Sequence, residues 1–284
     1  MPQPEDRIQW IMKKLLPRSF GIKRKLMHAW KLATADYVVV SFPKSGRTWL
    51  RATLTFYYAE RYGLNDPPLL EFANLHYLDR RIPKIYFTHD EEPDRTPAEL
   101  GRDKSRYRRK HVLFVGRDPR DVTVSLYFHR RHRDHDLDHP LFDFMRGERG
   151  GLRTTVEFMN IWSEALKSMP HALHISYEAM HAAPEETLSR ALRFFGEAEP
   201  DGRALRAAIE RARFDRLQSL ERSGAFASGR LTAGDAEDAD SFKVRRGKVG
   251  GFKDYFDDGQ RQALDAIVRE HLSADAASLA GPPA

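Results

Sequence analysis

Tyr37-Val38-Val39-Val40-Ser41-Phe42-Pro43-Lys44-Ser45-Gly46-Arg47-Thr48-Trp49 divides into three parts. Residues 37–42 are a short continuous apolar run, the pattern of a strand buried on both faces of a sheet. Pro43-Lys44-Ser45-Gly46 is turn chemistry. Beyond the turn Leu50, Thr53, Leu54 and Tyr57 recur at helical spacing. A strand that feeds a helix through a tight turn presents unpaired N–H groups and the positive end of the helix dipole, which together bind phosphate. Lys44 adds a mobile charge there, and Ser45 and Thr48 add hydroxyl donors.

Working outward, three more apolar runs read as strands: Ile85 to Thr88, His111 to Val115 and Ala172 to Ser176. Helical patterns alternate with them. One starts at Asp118-Pro119. Another has Pro184 near its first turn, Leu188, Ala191, Leu192 and Phe195 along one face, and Gly196 just past its end. Leu205, Ala208, Ile209 and Ala212 mark a further helix, and Leu264, Ile267, Val268 and Leu272 the last, with Asp258 as its expected N-cap. Strands alternating with helices predict an α/β domain with a central parallel sheet flanked by helices. Residues 7–32 read as a basic amphipathic helix broken at Pro17, with Ile8, Ile11, Met12 and Leu15 on one face. Residues 129–151 and 222–241 read as long irregular loops.

Composition narrows the function. The chain has 284 residues and no cysteine, so a disulfide scaffold, a cysteine metal site and a cysteine nucleophile are excluded. No apolar run reaches the roughly 20 residues that span a bilayer. Lys13, Lys14 and Arg18 interrupt the apolar positions where a secretory signal would lie. A cytoplasmic protein is the expectation. The net charge of +6 favours anionic partners.

A Walker A loop would need glycine at 41 and lysine at 47, where this chain has Ser41 and Arg47, so an ordinary nucleotide kinase is a weak alternative. The segment instead resembles the P-K-S-G-T-T-W signature of PAPS-dependent sulfotransferases, with PAPS being 3′-phosphoadenosine 5′-phosphosulfate. The resemblance implies the P-loop-kinase-like sulfotransferase fold in a single domain. It also implies that Lys44, Ser45, Gly46, Arg47 and Thr48 hold the 5′-phosphosulfate, with Trp49 beside the adenine. Arg47 departs from the usual threonine and brings a further cation.

Two other segments carry the same resemblance in family order. Arg117-Asp118-Pro119-Arg120-Asp121 with Ser125 and Tyr127 is similar to R-N/D-P-x-D-x-x-x-S-x-Y, which assigns Arg117 and Ser125 to the 3′-phosphate. A guanidinium and a hydroxyl suit that task. Asp118, Pro119 and Asp121 also fit an ordinary helix start and are read as scaffold. Arg245-Arg246-Gly247-Lys248-Val249-Gly250-Gly251-Phe252-Lys253 resembles the R-K-G-x-x-G-D-W-K lid, which assigns Arg245, Arg246 and Gly247 to the cofactor. Gly251 and Phe252 replace the acid and the tryptophan. Tyr177 and Phe214 fall where the family places aromatics near the adenine.

For the chemistry, Phe87-Thr88-His89 corresponds to the family's K-T-H and makes His89 the expected general base, with Lys44 at the leaving oxygen. Phe87 stands where a lysine is usual, so one cation of the family site is missing unless Arg47 or Lys84 substitutes. Asp90, Glu91 or Glu92 could orient His89 or replace it. No metal is required. His129, His132, His135 and His139, interleaved with Asp134, Asp136 and Asp138, raise a metal site as a minor alternative. Residues 102–111 are basic enough to raise a nucleic-acid-binding module, although a solvated loop before a strand fits better, and no nucleic-acid partner is expected. The expected partner is an acceptor with a free hydroxyl: a glycan, a lipid-linked sugar, or a small alcohol or phenol. The reading divides the chain into a basic N-terminal segment (1–34), suited to peripheral contact with an anionic membrane, a sulfotransferase domain (35–273) and a C-terminal tail (274–284).

Overall fold

The computed structural model describes residues 20–224, 235 and 238–281. In chain order the principal elements are α1 (Phe20–Thr34), β1 (Tyr37–Val40), α2 (Arg47–Tyr62), α3 (Asn74–Leu78), β2 (Ile85–Thr88), β3 (His111–Gly116), α4 (Pro119–His129), α5 (Leu141–Arg146), α6 (Leu152–Lys167), β4 (Ala172–Ser176), α7 (Tyr177–Ala182), α8 (Pro184–Phe194), α9 (Gly202–Arg211), α10 (Phe214–Ser223), α11 (Asp258–His271) and α12 (Ala274–Ala277). The four strands form one parallel sheet in the order β2-β1-β3-β4.

Alternate residues of each strand face opposite layers, and the apolar runs are continuous because both faces are covered. Val39, Ile85, Phe87, Leu113 and Val115 pack with α2, α8 and α9 in one core. Val38, Val40, Val112 and Phe114 pack with α4 and α6 in the other. The chain leaves β1 for β2 on one side and then crosses to β3 on the other. The carboxyl end of β1 is therefore the switch point where parallel α/β sheets open a crevice, and the 43–46 turn sits there.

Several sequence readings need correction. The last long helix is capped by Asp257 rather than Asp258: Asp257 accepts from Gln260 N at 2.8 Å, and Asp257 N donates to Gln260 Oε1 at 3.2 Å. Residues 129–151 are not wholly irregular. They begin with a π-helical turn, Arg130–Asp134, and contain α5, which buries Phe144 and Met145. Residues 274–281, set apart as a tail, pack into the core through Ala276 and Leu279. A Cβ on Gly116 would stand 1.8 Å from the Leu279 carbonyl oxygen, so only glycine admits this crossing. In α1, Leu32 is buried and Trp30 packs edge-on against Phe72. Pro17 and the apolar face from Ile8 to Leu15 lie outside the described residues, as do 225–234 and 236–237 of the second expected loop.

Candidate active site

The turn after β1 holds two residues in left-handed backbone, Lys44 at φ 72° and Gly46 at φ 90°. Gly46 is also the N-cap of α2 and offers no side chain to the first N–H groups, so these remain available to a ligand. A Cβ at Gly46 would lie 2.4 Å from the Tyr177 ring. Lys44, Gly46, Arg47, Thr48 and Trp49 all line one cavity of about 330 Å³, together with His89, Arg117, Ser125, Tyr177 and Phe214, and with Arg245, Arg246 and Gly247 of the 244–253 segment. Ser45 is the predicted site residue that does not line it; its side chain is buried behind the turn.

Arg117 connects the three segments. It leaves the end of β3, donates to the Lys44 carbonyl at 3.1 Å and to the Lys248 carbonyl at 3.2 Å, and lies 4.0 Å over the Tyr177 ring. Asp121, one helical turn on, accepts from Gly250 N and Phe252 N, both at 2.8 Å. The acid read as scaffold therefore fastens the 244–253 segment to α4. Asp254 pairs with Arg246 at 2.6 Å and Lys248 at 2.8 Å, and Tyr255 Oη accepts from Arg245 and Arg246. The Nε–H groups of Arg117 and Arg245 are buried with no hydrogen-bond partner among the described residues. A buried guanidinium donor left unpaired is costly, and a bound phosphate would satisfy it. Trp49, Tyr177 and His181 form an aromatic cluster, with His181 centred 4.8 Å from Trp49 and 4.5 Å from Tyr177. His181 was missed from sequence, although its i+4 spacing from Tyr177 on α7 puts both on one helix face.

At the end of β2, His89 Nδ1 lies 3.0 Å from the Ser41 carbonyl and Nε2 lies 2.5 Å from a guanidinium nitrogen of Arg47. A carbonyl only accepts and a guanidinium only donates, so Nδ1 carries the hydrogen and Nε2 the lone pair. The acids that follow His89 in sequence have cationic partners of their own. Asp90 is buried against Lys104, Arg106 and Tyr107; burial opposes its ionisation, but those partners hold its pKa below the usual range. Glu91 pairs with Lys104 and Arg95, and Glu92 with Arg24. Burial, reinforced by Arg133, Lys243 and Arg117 and opposed by Glu221, lowers the Lys44 ammonium to about 7. His129, at the end of α4, also lines the cavity. Burial and then Lys44, Arg133 and Lys243 lower it to about 3, so it is neutral.

Residues 34–275 match the profile of the sulfotransferase domain. The chain belongs to the sulfotransferase domain family. Cytosolic sulfotransferase 6 of Arabidopsis thaliana is 27% identical, with 84% of this chain and 78% of that protein covered. Sulfotransferase 2B1 of Mus musculus is 25% identical, covering 84% and 71%. Among solved structures, mouse sulfotransferase SULT7A1 complexed with PAP superposes with a TM-score of 0.59 at 21% identity, covering 87% of this chain and 88% of that one. Retinol dehydratase, in complex with androsterone and inactive cofactor PAP, gives 0.58 at 17%, covering 84% and 81%.

This sulfotransferase has its own arrangement where the motif residues differ. Lys84 lies at the entry of β2, away from His89, and pairs with Asp36, so it does not compensate for Phe87. Arg51, one turn beyond Arg47 on α2, lies 4.3 Å over the Phe87 ring and lines the cavity. Arg47 and Arg51 thus face His89 and Phe87 in register, an i, i+4 helix pair against an i, i+2 strand pair. Phe252 is buried beneath Arg120 at 4.4 Å. The histidine-rich segment spends its rings on nearby carboxylates: His132 Nδ1 lies 2.7 Å from Asp238, and the neutral His129 lies 3.7 Å from Asp134. Among the described residues no three ligating groups converge as a metal would require.

Proposed function

We propose that the chain transfers the sulfuryl group of PAPS to an acceptor hydroxyl, on a glycan, a lipid-linked sugar, or a small alcohol or phenol, and releases 3′,5′-ADP. Arg117 carries this reading: one side chain ties the phosphate turn to the 244–253 segment, covers Tyr177, and keeps a buried donor unpaired among the described residues. PAPS supplies the sulfuryl group together with an anionic leaving group. Lys44, Arg47, Thr48 and the α2 N-terminus suit its 5′ end. Arg117, Ser125, Arg245 and Arg246 suit its 3′-phosphate, and Trp49, Tyr177, His181 and Phe214 offer ring faces to the adenine. The PAP carried by the two structural neighbours supports the same ligand here.

His89 is the base. Its Nδ1–H is anchored on Ser41, leaving Nε2 to take the hydroxyl proton, and the carbonyl stabilises the imidazolium that forms. Lys44 opposes the charge that develops on the leaving oxygen. The basic run at 102–111 is largely committed to the protein: Arg102 pairs with Glu157, Lys104 and Arg106 with Asp90, and Lys110 donates to the Ala33 carbonyl. That speaks against a nucleic-acid surface. On α1, Ile22 and Leu26 are 53% and 48% exposed beside Lys23 and Lys25, which supports contact of this face with an anionic bilayer. The test of the assignment is incubation with labelled PAPS and a panel of glycosides, alcohols and phenols. Sulfated product should appear in step with 3′,5′-ADP; no transfer to any class would refute it.

A further inference from the structure

The hydrogen bond between Arg47 and His89 occupies the lone pair that a base must use. His89 cannot turn its other nitrogen to the task, because Nδ1–H is held by Ser41. Arg47 is also the first residue of α2 and lines the same cavity as Lys44, at the turn suited to phosphate. The same guanidinium thus holds a neutral imidazole and lines the cavity suited to the anionic end of the sulfuryl donor. Charge-assisted bonds to an anion are shorter and stronger than a bond to a neutral ring, and a guanidinium can make two in parallel.

Resting on the sulfotransferase reading above, we propose that Arg47 gates the base: it masks His89 Nε2 in the ligand-free enzyme and leaves it for the 5′-phosphate or phosphosulfate, so that His89 accepts a proton only when a donor is in place. Arg47 is then a positioning residue as well as a phosphate contact. Arg51 keeps its seat on Phe87 throughout, so the rest of the β2 edge does not have to rearrange. The gate also sets an order. An acceptor hydroxyl that enters first finds no free base, and one that enters second finds Nε2 open.

Nitrogen-15 NMR of the imidazoles tests this on the whole enzyme, with 3′,5′-ADP as the inert probe and the His89 resonances assigned by their loss in His89→Gln. In the wild type, saturating 3′,5′-ADP should move Nε2 toward the position of a lone pair without a donor, while Nδ1, still held by Ser41, stays nearly fixed. In Arg47→Thr, Nε2 should already stand at that position without ligand and should not move when 3′,5′-ADP is added at a concentration raised to offset roughly tenfold weaker binding. Calorimetric binding of 3′,5′-ADP is measured alongside. Absence of binding to the wild type would refute the functional reading. Binding with an unmoved wild-type Nε2, or an apo Nε2 identical in wild type and Arg47→Thr, would refute the gate. The wild-type titration decides this even if the variant does not fold.

Discussion

His89 carries the sharpest expectation at the scale of one residue. His89→Ala should lower turnover by about a hundredfold or more, the usual contribution of a positioned base, without weakening 3′,5′-ADP. Steady-state kinetics beside calorimetry would show it, and near-normal turnover would move the base elsewhere. Asp90 and Glu91 are poor substitutes because Lys104, Arg106 and Arg95 already hold them. Lys44 gives a second test, through protons. Its pKa stands at about 7 in the ligand-free protein, lowered first by burial and then by neighbouring cations. An anion at the turn should raise it toward the free value of about 10.4. Binding of 3′,5′-ADP should therefore take up a proton between those two values, and affinity should fall as pH rises through that window. In the unliganded protein the unfolded chain binds more protons over the same window, so this lysine makes stability rise with pH there. Calorimetry in buffers of different ionisation enthalpy should detect the uptake in wild type and not in Lys44→Met. The substitution should also cut turnover at saturating PAPS by about a hundredfold, the usual loss for an electrostatic stabiliser.

Among the elements, the turn and the 244–253 segment are built on contacts that can be broken singly. Gly46→Ala would force a side chain into left-handed backbone and into the Tyr177 ring. It should cost about 1–2 kcal/mol in strain alone and reduce 3′,5′-ADP binding, by thermal melting and calorimetry respectively. Asp121→Ala should free the Gly250 and Phe252 amides, which would then exchange with solvent faster, and should weaken 3′,5′-ADP while leaving β1 and α2 protected. The 43–46 turn was legible in the sequence because strand, turn and helix periods meet there in consecutive residues. Arg117 and the 244–253 segment were legible as motifs, but their union was not, since it depends on bonds between Arg117, Lys44 and Lys248 that no local pattern encodes. Arg51 and His181 had a weak signal, each falling four residues after a recognised site residue on a helix. The packing of Leu279 on Gly116 had none, because a close approach between distant segments leaves only an unremarked glycine in the sequence.

Taken whole, the molecule is a basic enzyme with an anionic co-substrate, and α1 carries exposed apolar residues beside lysines. Ile22→Glu with Leu26→Glu should reduce flotation with phosphatidylserine vesicles while leaving catalysis on a soluble acceptor unchanged; equal flotation would show that α1 has no part in membrane contact. The proposed site recognises two phosphates separately within one cavity. Isothermal titration of the wild type with 3′,5′-ADP against 5′-ADP and ATP tests it directly. 3′,5′-ADP should bind at least about a hundredfold more tightly than either, as expected when Arg117 and Arg245 lose a charge-assisted partner. Equal binding of ATP would contradict it and return the turn to the nucleotide kinases.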